Sequence, residues 1–423
     1  MTRVELRCSD PACAQRVDRD IATYSCPGCG GLLELSYDLS PERAQDWPGV
    51  WRGRLPGGAA YDRSGVWRFR ELLPLFPDPS VAVSLGEGRT PLIEVPSAAA
   101  SLGVAELAVK HLGVNPTGSF KDLGMTVCVT EAVRRGVKVV ACASTGNTSA
   151  SMAAYAARAG LRALVLVPRG AVSGAKLAQA LDFGALVVEA GASFDEAFAL
   201  LRAIVERLGL YLVNSVNPFR LEGQKTVAVE LLEQRGWRPP DYVVLPGGNL
   251  GNVSALAKGL LELWEVGLLS RMPRLVVVQA EGASPFHRMW SGGRKELTPE
   301  LEPATRATAI RIGNPANWPR ARRALERTEG MTEAVSDLEI EAAKRELADS
   351  GIGCEPASAA SLAGLRKLVA RGQIEAGADV VLILTGHQLK DTDYVGEHLS
   401  GRPGIRSAEP SVDGVGAALR GWL

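Results

Sequence analysis

The strongest constraint on the fold is an alternation. From residue 81 onward, short apolar runs take turns with longer amphipathic stretches. The apolar runs are ELAVKH (106–111), VVACAS (139–144), ALVLVP (163–168), ALVVEA (185–190), YLVNS (211–215), YVVLP (242–246), LVVVQA (275–280) and DVVLILT (379–385). Between them lie stretches such as KDLGMTVCVTEAVRRG, NTSASMAAYAARAG and SFDEAFALLRAIVERLG, which end in the glycine that commonly stops a helix. A β-branched run with no polar face needs cover on both sides, and strands alternating with helices obtain it as parallel sheets. The runs outnumber the strands of one small sheet. The expected plan is therefore α/β, with two open twisted domains and a cleft between them.

The flanks read differently. Residues 1–40 hold four of the seven cysteines and form a separate module. Residues 41–80, which include DWPGVWRGRLPGG, show little periodicity and read as a connecting arm. The large domain is expected from 81–114 and 215–400, the small domain from 115–214, and a Gly-, Ser- and Pro-rich tail from 401–423. The 47 basic and 47 acidic side chains cancel, so nothing draws the chain to nucleic acid or an anionic membrane in general. Any anion must be bound by a local site. MTRVELRCSD lacks the apolar run of a signal peptide, and VVLIL (380–384) has the length of a strand rather than a membrane span. A cytoplasmic, reducing setting is expected, where seven cysteines do not form a disulfide framework.

In the first module, Cys8 and Cys13 are separated by four residues, and Cys26 and Cys29 by two, with twelve between the pairs. The second pair lies in SCPGCGG, whose Pro and Gly residues let the chain curl around one ion. Two turn-borne thiolate pairs suit tetrahedral structural zinc, in a zinc-ribbon-like module. The alternative is four reduced thiols without metal. With all four positions filled, a catalytic zinc is not expected.

Three strand-to-helix junctions are unusually rich in small polar residues. In PGGNLGN (246–252), Gly247, Gly248 and Gly251 expose backbone N–H groups at the positive end of the next helix, a nest for phosphate. The pattern is neither G-x-G-x-x-G nor a Walker loop. In CASTGNTSAS (142–151), Ser144, Thr145, Asn147 and Thr148 crowd a helix start that needs only one cap. LVNSVNPFRLEGQKT (212–226) offers Asn214, Ser215, Arg220 and Lys225, and Arg220 suits a phosphate or carboxylate. His111, His287, His387 and His398 have no metal-ligand spacing, and no hydrolase motif occurs. Cys128, Cys142 and Cys354 sit in apolar runs as small core residues.

Lys121 follows a tight turn in NPTGSFKDLGM (115–125), next to Phe120 and Asp122. A buried lysine loses its proton readily and can attack an aldehyde. Anion cradles together with imine chemistry point to pyridoxal 5′-phosphate, an aldehyde that carries its own phosphate.

NPTGSFKD, CASTGNTSAS, NSVNPFRLEGQKT, PGGNLGN, EPASAAS and LTGHQLKD occur in the order found in fold-type II pyridoxal-phosphate enzymes, the tryptophan synthase beta-like class. Over about residues 81–395 the chain most resembles the threonine synthase family. Relatives also carry a four-cysteine ribbon and an arm like GVWRFRELLP (65–74). The resemblance implies that Lys121 holds the cofactor covalently beside Phe120. It assigns the cofactor phosphate to Gly247, Gly248, Asn249, Gly251 and Asn252, the ring's phenolic oxygen to Asn147, and its pyridine nitrogen to Thr385. Ser144, Thr145 and Thr148 would meet the substrate's carboxylate, and Asn214, Ser215 and Arg220 its phosphate. The implied activity is a carbon–oxygen lyase reaction acting on a phosphate. O-phospho-L-homoserine loses its γ phosphate and takes water at the β carbon to give L-threonine. A homodimer is implied by likeness alone.

The chain departs from the family pattern at several positions. Leu123 replaces the usual arginine of SFKDRGM, Gln388 a common glycine and Thr392 a common proline, and Arg89 occupies a variable position. A β-replacement enzyme or dehydratase of the same fold, cysteate-synthase-like and using O-phosphoserine, therefore stays open. So does a binding protein with an inactive body, although an intact Lys121 and phosphate loop argue against that.

Overall fold

The computed structural model describes residues 4–21, 23–39, 41–55, 58–170, 174–191, 193–397 and 406–420. The chain forms two compact units, Met1–Lys390 and Asp391–Leu423. The first begins with a small antiparallel sheet of order β2-β1-β3, built from β1 (Glu5–Cys8), β2 (Arg16–Val17) and β3 (Leu33–Ser36). The next strands are β4 (Leu92–Glu94), β5 (Glu106–His111), β6 (Val139–Ala143), β7 (Arg162–Val167), β8 (Leu186–Glu189) and β9 (Tyr211–Leu212). They are followed by β10 (Tyr242–Pro246), β11 (Arg274–Ala280), β12 (Met331–Val335) and β13 (Asp379–Leu384). One sheet runs β12-β11-β10-β13-β5-β4 and the other β8-β7-β6-β9. Every pairing in these two sheets is parallel except β4 with β5.

Each of the eight apolar runs carries a strand. β10 is buried along its whole length, as a central parallel strand covered on both faces must be. Two strands were not anticipated. β4 is only three residues long, and β12, MTEAV, has polar residues in its middle. Thr332 and Glu333 are nonetheless buried, and Arg371 pairs with Glu333 at 2.7 Å. β9 is shorter than YLVNS because Asn214 takes over the ladder with its side chain. The amide accepts from Ala143 N at 3.0 Å and donates to Ala143 O at 2.9 Å, as the next backbone unit would have done.

The arm is part of the core. Trp51, Trp67 and Phe69 are buried, and Trp51 meets Phe69 edge-on with ring centres 5.2 Å apart. Trp67 donates its indole N–H to Thr126 Oγ1 at 2.7 Å, gripping the helix that Lys121 begins. That helix, Lys121–Arg134, is buried continuously from Asp122 to Ala132. It crosses the Pro218–Gln224 helix at backbone contact. A Cβ on Gly223 would lie 1.7 Å from Leu123 O, and one on Gly124 would lie 2.6 Å from Arg220 O. Two glycines thus bring the segments bearing Lys121 and Arg220 together. Leu123, at the arginine position of the relatives, is a buried core residue at this crossing.

The cysteine module is tied to the body through buried charge. Tyr37 donates to Glu222 Oε2 at 2.5 Å, and Lys258 donates to Leu35 O at 2.9 Å. Lys225 pairs with Glu222 at 2.8 Å and with Glu262 at 2.6 Å. Burial opposes ionisation of Glu222, but the charges of Lys225 and Lys258 outweigh it and hold the carboxyl at about 2.

The second unit contains the helices Thr392–Glu397 and Val412–Leu419, and Ser411 caps the latter by accepting from Gly414 N at 3.0 Å. Thr392, where relatives have proline, opens the first of these. His398 lies outside the described residues, as do 401–405 and 421–423 of the expected tail. No described helix is long and apolar enough to cross a membrane.

Candidate active site

The turn before Lys121 is held from three directions. Asp122 accepts from Thr117 N at 2.7 Å, from Thr117 Oγ1 at 2.6 Å and from Ser151 Oγ at 2.6 Å. Burial pushes the Asp122 carboxyl up to about 6 against those bonds. Phe120 N donates to Thr385 O and His387 N to Gly118 O, both at 2.9 Å, which fastens the turn to the exit of β13. Gly118 takes φ +83°, a left-handed conformation that favours glycine.

The Lys121 amine lies 4.2 Å from the centre of the Phe120 ring. Among the described residues it has no hydrogen bond and no ion pair. Burial and the charge of Arg220 lower its pKa to about 7, with Glu355 pulling the other way. Half of such amines are neutral near pH 7, so the group is a competent nucleophile and base.

Two residues expected at the cofactor ring converge on one carboxyl. Asn147, first in the Asn147–Arg158 helix, donates Nδ2 to Glu355 Oε2 at 2.9 Å. Thr385 donates Oγ1 to Glu355 Oε1 at 2.8 Å. Ser358 accepts from Thr385 N at 2.8 Å and from Gly386 N at 3.1 Å. Burial pushes the Glu355 carboxyl above its usual range, against the bonds from Asn147 and Thr385 and the charges of Lys390 and Lys121.

The glycine-rich junction sits between β10 and the Gly251–Glu265 helix. A Cβ on Gly247 would meet Val277 Cγ1 at 2.5 Å and one on Gly248 would meet Ala309 O at 3.0 Å, so both positions require the absence of a side chain. Leu250 takes φ +60°, turning the chain into the helix. Asn252 Nδ2 is buried without a partner. Asn249 is held at both ends of its amide, donating to Ser215 Oγ at 2.7 Å and accepting from Ala316 N at 2.6 Å.

Arg220 is buried, and the one hydrogen bond of its side chain among the described residues runs to Val213 O at 3.1 Å. Its Nε has no partner, and no carboxylate pairs with it among the described residues. Burial lowers its pKa, opposed by Cys128, Cys142 and Asp122. A buried guanidinium left without an anion is costly unless an anion arrives. Asn214, expected beside it as a ligand group, holds Ala143 with its carbonyl and one N–H. Ser144 accepts from Gly146 N at 3.2 Å and keeps its own proton free to donate. Thr145 and Thr148 flank Asn147 at the same helix start, partly buried. Lys225, from the same motif as Arg220, belongs to the charge cluster under the cysteine module.

Glu355 and Ser358 were not singled out, although EPASAAS contains both. A glutamate just before the proline of a helix start reads as an ordinary N-terminal acid. The signal available was its position beside a proline in a segment otherwise without charge.

The four sulfurs of Cys8, Cys13, Cys26 and Cys29 all lie within 4.8 Å of one another. This is the only such group of three or more His, Cys, Asp or Glu among the described residues. His111 and His287 are instead engaged with Gly353 O at 3.0 Å and Thr332 Oγ1 at 2.9 Å.

The chain is similar to known proteins over most of its length. Residues 83–386 match the family described as "Pyridoxal-phosphate dependent enzyme". The chain is 47% identical over 382 residues to "Threonine synthase" of Methanocaldococcus jannaschii, covering 90% of this chain and 92% of that one. It is 45% identical over 391 residues to "Threonine synthase" of Methanosarcina acetivorans, covering 92% and 93%. Among solved structures, maize serine racemase superposes with a TM-score of 0.63 at 22% identity, over 73% of this chain and 91% of that one, which shows the shared fold. The chain belongs to the pyridoxal-phosphate dependent enzyme family.

Proposed function

We propose that this chain is a threonine synthase, converting O-phospho-L-homoserine and water into L-threonine and phosphate. Identity to curated threonine synthases over about nine-tenths of both chains supports the activity. The observation that carries the chemistry is the pairing of an amine held at about 7 with a buried guanidinium that has no carboxylate partner. One is a nucleophile and base, the other a cation suited to an anionic group.

A phosphate-bearing aldehyde fits these residues. Asn252 Nδ2 is an orphaned donor, the Gly247–Gly248 backbone is bare, and Lys121 has no counter-charge. We assign the cofactor phosphate to Gly247, Gly248, Gly251 and Asn252, with Asn249 bracing that loop against Ser215. Asn147 and Thr385 take the ring's polar atoms and Phe120 packs beside the lysine. When bound, pyridoxal phosphate supplies an electron sink for negative charge developing on the substrate's carbon chain. Lys121 removes the substrate's α proton and manages protons at the β carbon. Arg220 and Ser215 hold the substrate phosphate, with Asn214 setting the loop that carries them. Ser144, Thr145 and Thr148 receive the α-carboxylate. Placement of both ends relative to one amine is what turns binding into rate.

We further assign structural zinc to Cys8, Cys13, Cys26 and Cys29, supported by the clustering of their sulfurs. A cytoplasmic homodimer acting on a small phosphorylated substrate, with no nucleic-acid or membrane partner, completes the reading.

The test is to supply O-phospho-L-homoserine and, in parallel, O-phosphoserine with sulfite, and to assay phosphate and amino acid. Threonine and phosphate from the first alone are expected. Cysteate from the second, without threonine from the first, would replace this reading. Metal analysis is expected to find one zinc per chain, and a metal-free, stably folded cysteine module would remove it.

A further inference from the structure

We infer that Glu355 is a positioning residue for the cofactor, its single carboxyl orienting both Asn147 and Thr385. The inference rests on the cofactor reading above and adds a residue to it.

Donor and acceptor accounting carries the argument. Ser358 Oγ uses its lone pairs on the N–H groups of Thr385 and Gly386. Its one proton is then directed to Thr385 Oγ1, 3.0 Å away. Thr385 in turn gives its only proton to Glu355 Oε1 at 2.8 Å. A carboxylate only accepts, so it selects which end of the Asn147 amide faces it. Nδ2 stands 2.9 Å from Oε2, leaving Asn147 with a second N–H for a ligand. Glu355 therefore decides how two side chains on different elements present their polar atoms.

Neither an ion pair nor a helix cap accounts for this acid. Glu355 is buried and makes no ion pair among the described residues. It stands at the N-cap of the Pro356–Ala370 helix, yet its side chain makes no capping bond there. Gly386 leaves the space it occupies, because a Cβ there would lie 2.3 Å from the Glu355 carboxyl carbon. Glu355 N donates to Gly386 O at 3.0 Å. A carboxyl buried at a cost and turned away from its own helix is retained for what it touches.

The test is a double-mutant cycle on cofactor affinity, measured by equilibrium dialysis of pyridoxal phosphate against cofactor-free protein. Glu355→Gln and Asn147→Ala are each expected to weaken binding about tenfold or more, and the double variant to be within about threefold of the weaker single. The thermal midpoint of cofactor-free Glu355→Gln should hold or rise. Wild-type affinity in Glu355→Gln, or losses that simply multiply in the double variant, would overturn the inference. If Glu355→Gln does not fold, Glu355→Asp carries the same cycle, and failure of both to fold assigns the residue to stability and likewise overturns it. Wild-type protein that binds no pyridoxal phosphate would instead sink the cofactor reading itself.

Discussion

Lys121 and Lys225 are both removed from bulk water, and only one of them is suited to chemistry. Lys225 sits between Glu222 at 2.8 Å and Glu262 at 2.6 Å, in a cluster that ties β3 to the helix carrying Arg220. Lys110, also buried, has Glu230 at 2.5 Å and Thr90 O at 2.7 Å. Lys121 has an aromatic ring, a nearby guanidinium and no partner within ion-pair distance among the described residues. Lys110 and Lys225 are fully buried and Lys121 is partly buried. Withholding the counter-charge is what makes an amine reactive, because a carboxylate repays the ammonium form for its lost hydration. Arg220 follows the same rule as Lys121: its unpaired state is a cost that a bound phosphate would remove.

That contrast can be attacked directly. The largest effect is expected from Lys121→Ala, which should cost about a thousandfold or more in turnover and abolish the visible band of the bound cofactor. Borohydride trapping and peptide mapping should place the label on Lys121 in the wild type, and normal turnover in the variant would dissolve the distinction. Next, Lys225→Met leaves Lys258 as the only lysine beside the buried Glu222 and Glu262 and should cost about 3–5 kcal/mol in urea unfolding. Stability equal to wild type would mean that the cluster holds nothing together.

Arg220→Met is the mirror case. We expect kcat/KM for O-phospho-L-homoserine to fall about 10–100-fold, chiefly through KM. The unfolding midpoint of substrate-free protein should hold or rise, since an unpaired buried charge is lost. A large drop in stability would move Arg220 into the same class as Lys225. The smallest effect is one of pH. With its pKa lowered from 10.5 to about 7, the Lys121 amine is mostly neutral above that point. The reaction of cofactor-free protein with pyridoxal at Lys121 should therefore gain rate as pH rises through about 7, and a midpoint near 10 would show an ordinary lysine.

Much of the fold was legible because it is written locally. β5 and β10 match the runs ELAVKH and YVVLP residue for residue; YVVLP, buried throughout, carries no charged side chain, and the buried Lys110 of β5 is answered by Glu230. β12 was missed because Glu333 is made tolerable by Arg371, a partner 38 residues away. The tryptophan-rich arm looked irregular because its order comes from contacts such as Trp67 with Thr126 rather than from any helical or strand period. In the site, the glycines at 247 and 248 and the lysine at 121 could be read from residue type and spacing. Asn214 was placed among ligand groups on the strength of its neighbours, whereas its amide completes a sheet. Glu355 had no local signature because its role is defined by residues 208 and 30 positions away.

Residue order alone settled that parallel sheets would form, where glycine- and hydroxyl-rich turns would interrupt them, and which lysine follows the Pro-Thr-Gly turn. These are short-range matters of backbone freedom and hydrophobic period. Which lysine lacks a counter-charge, which arginine lacks an anion and which carboxyl meets both Asn147 and Thr385 became definite only on folding. A side chain's charge depends on the solvent it loses and the partners it meets, and here those partners arrive from distant parts of the chain.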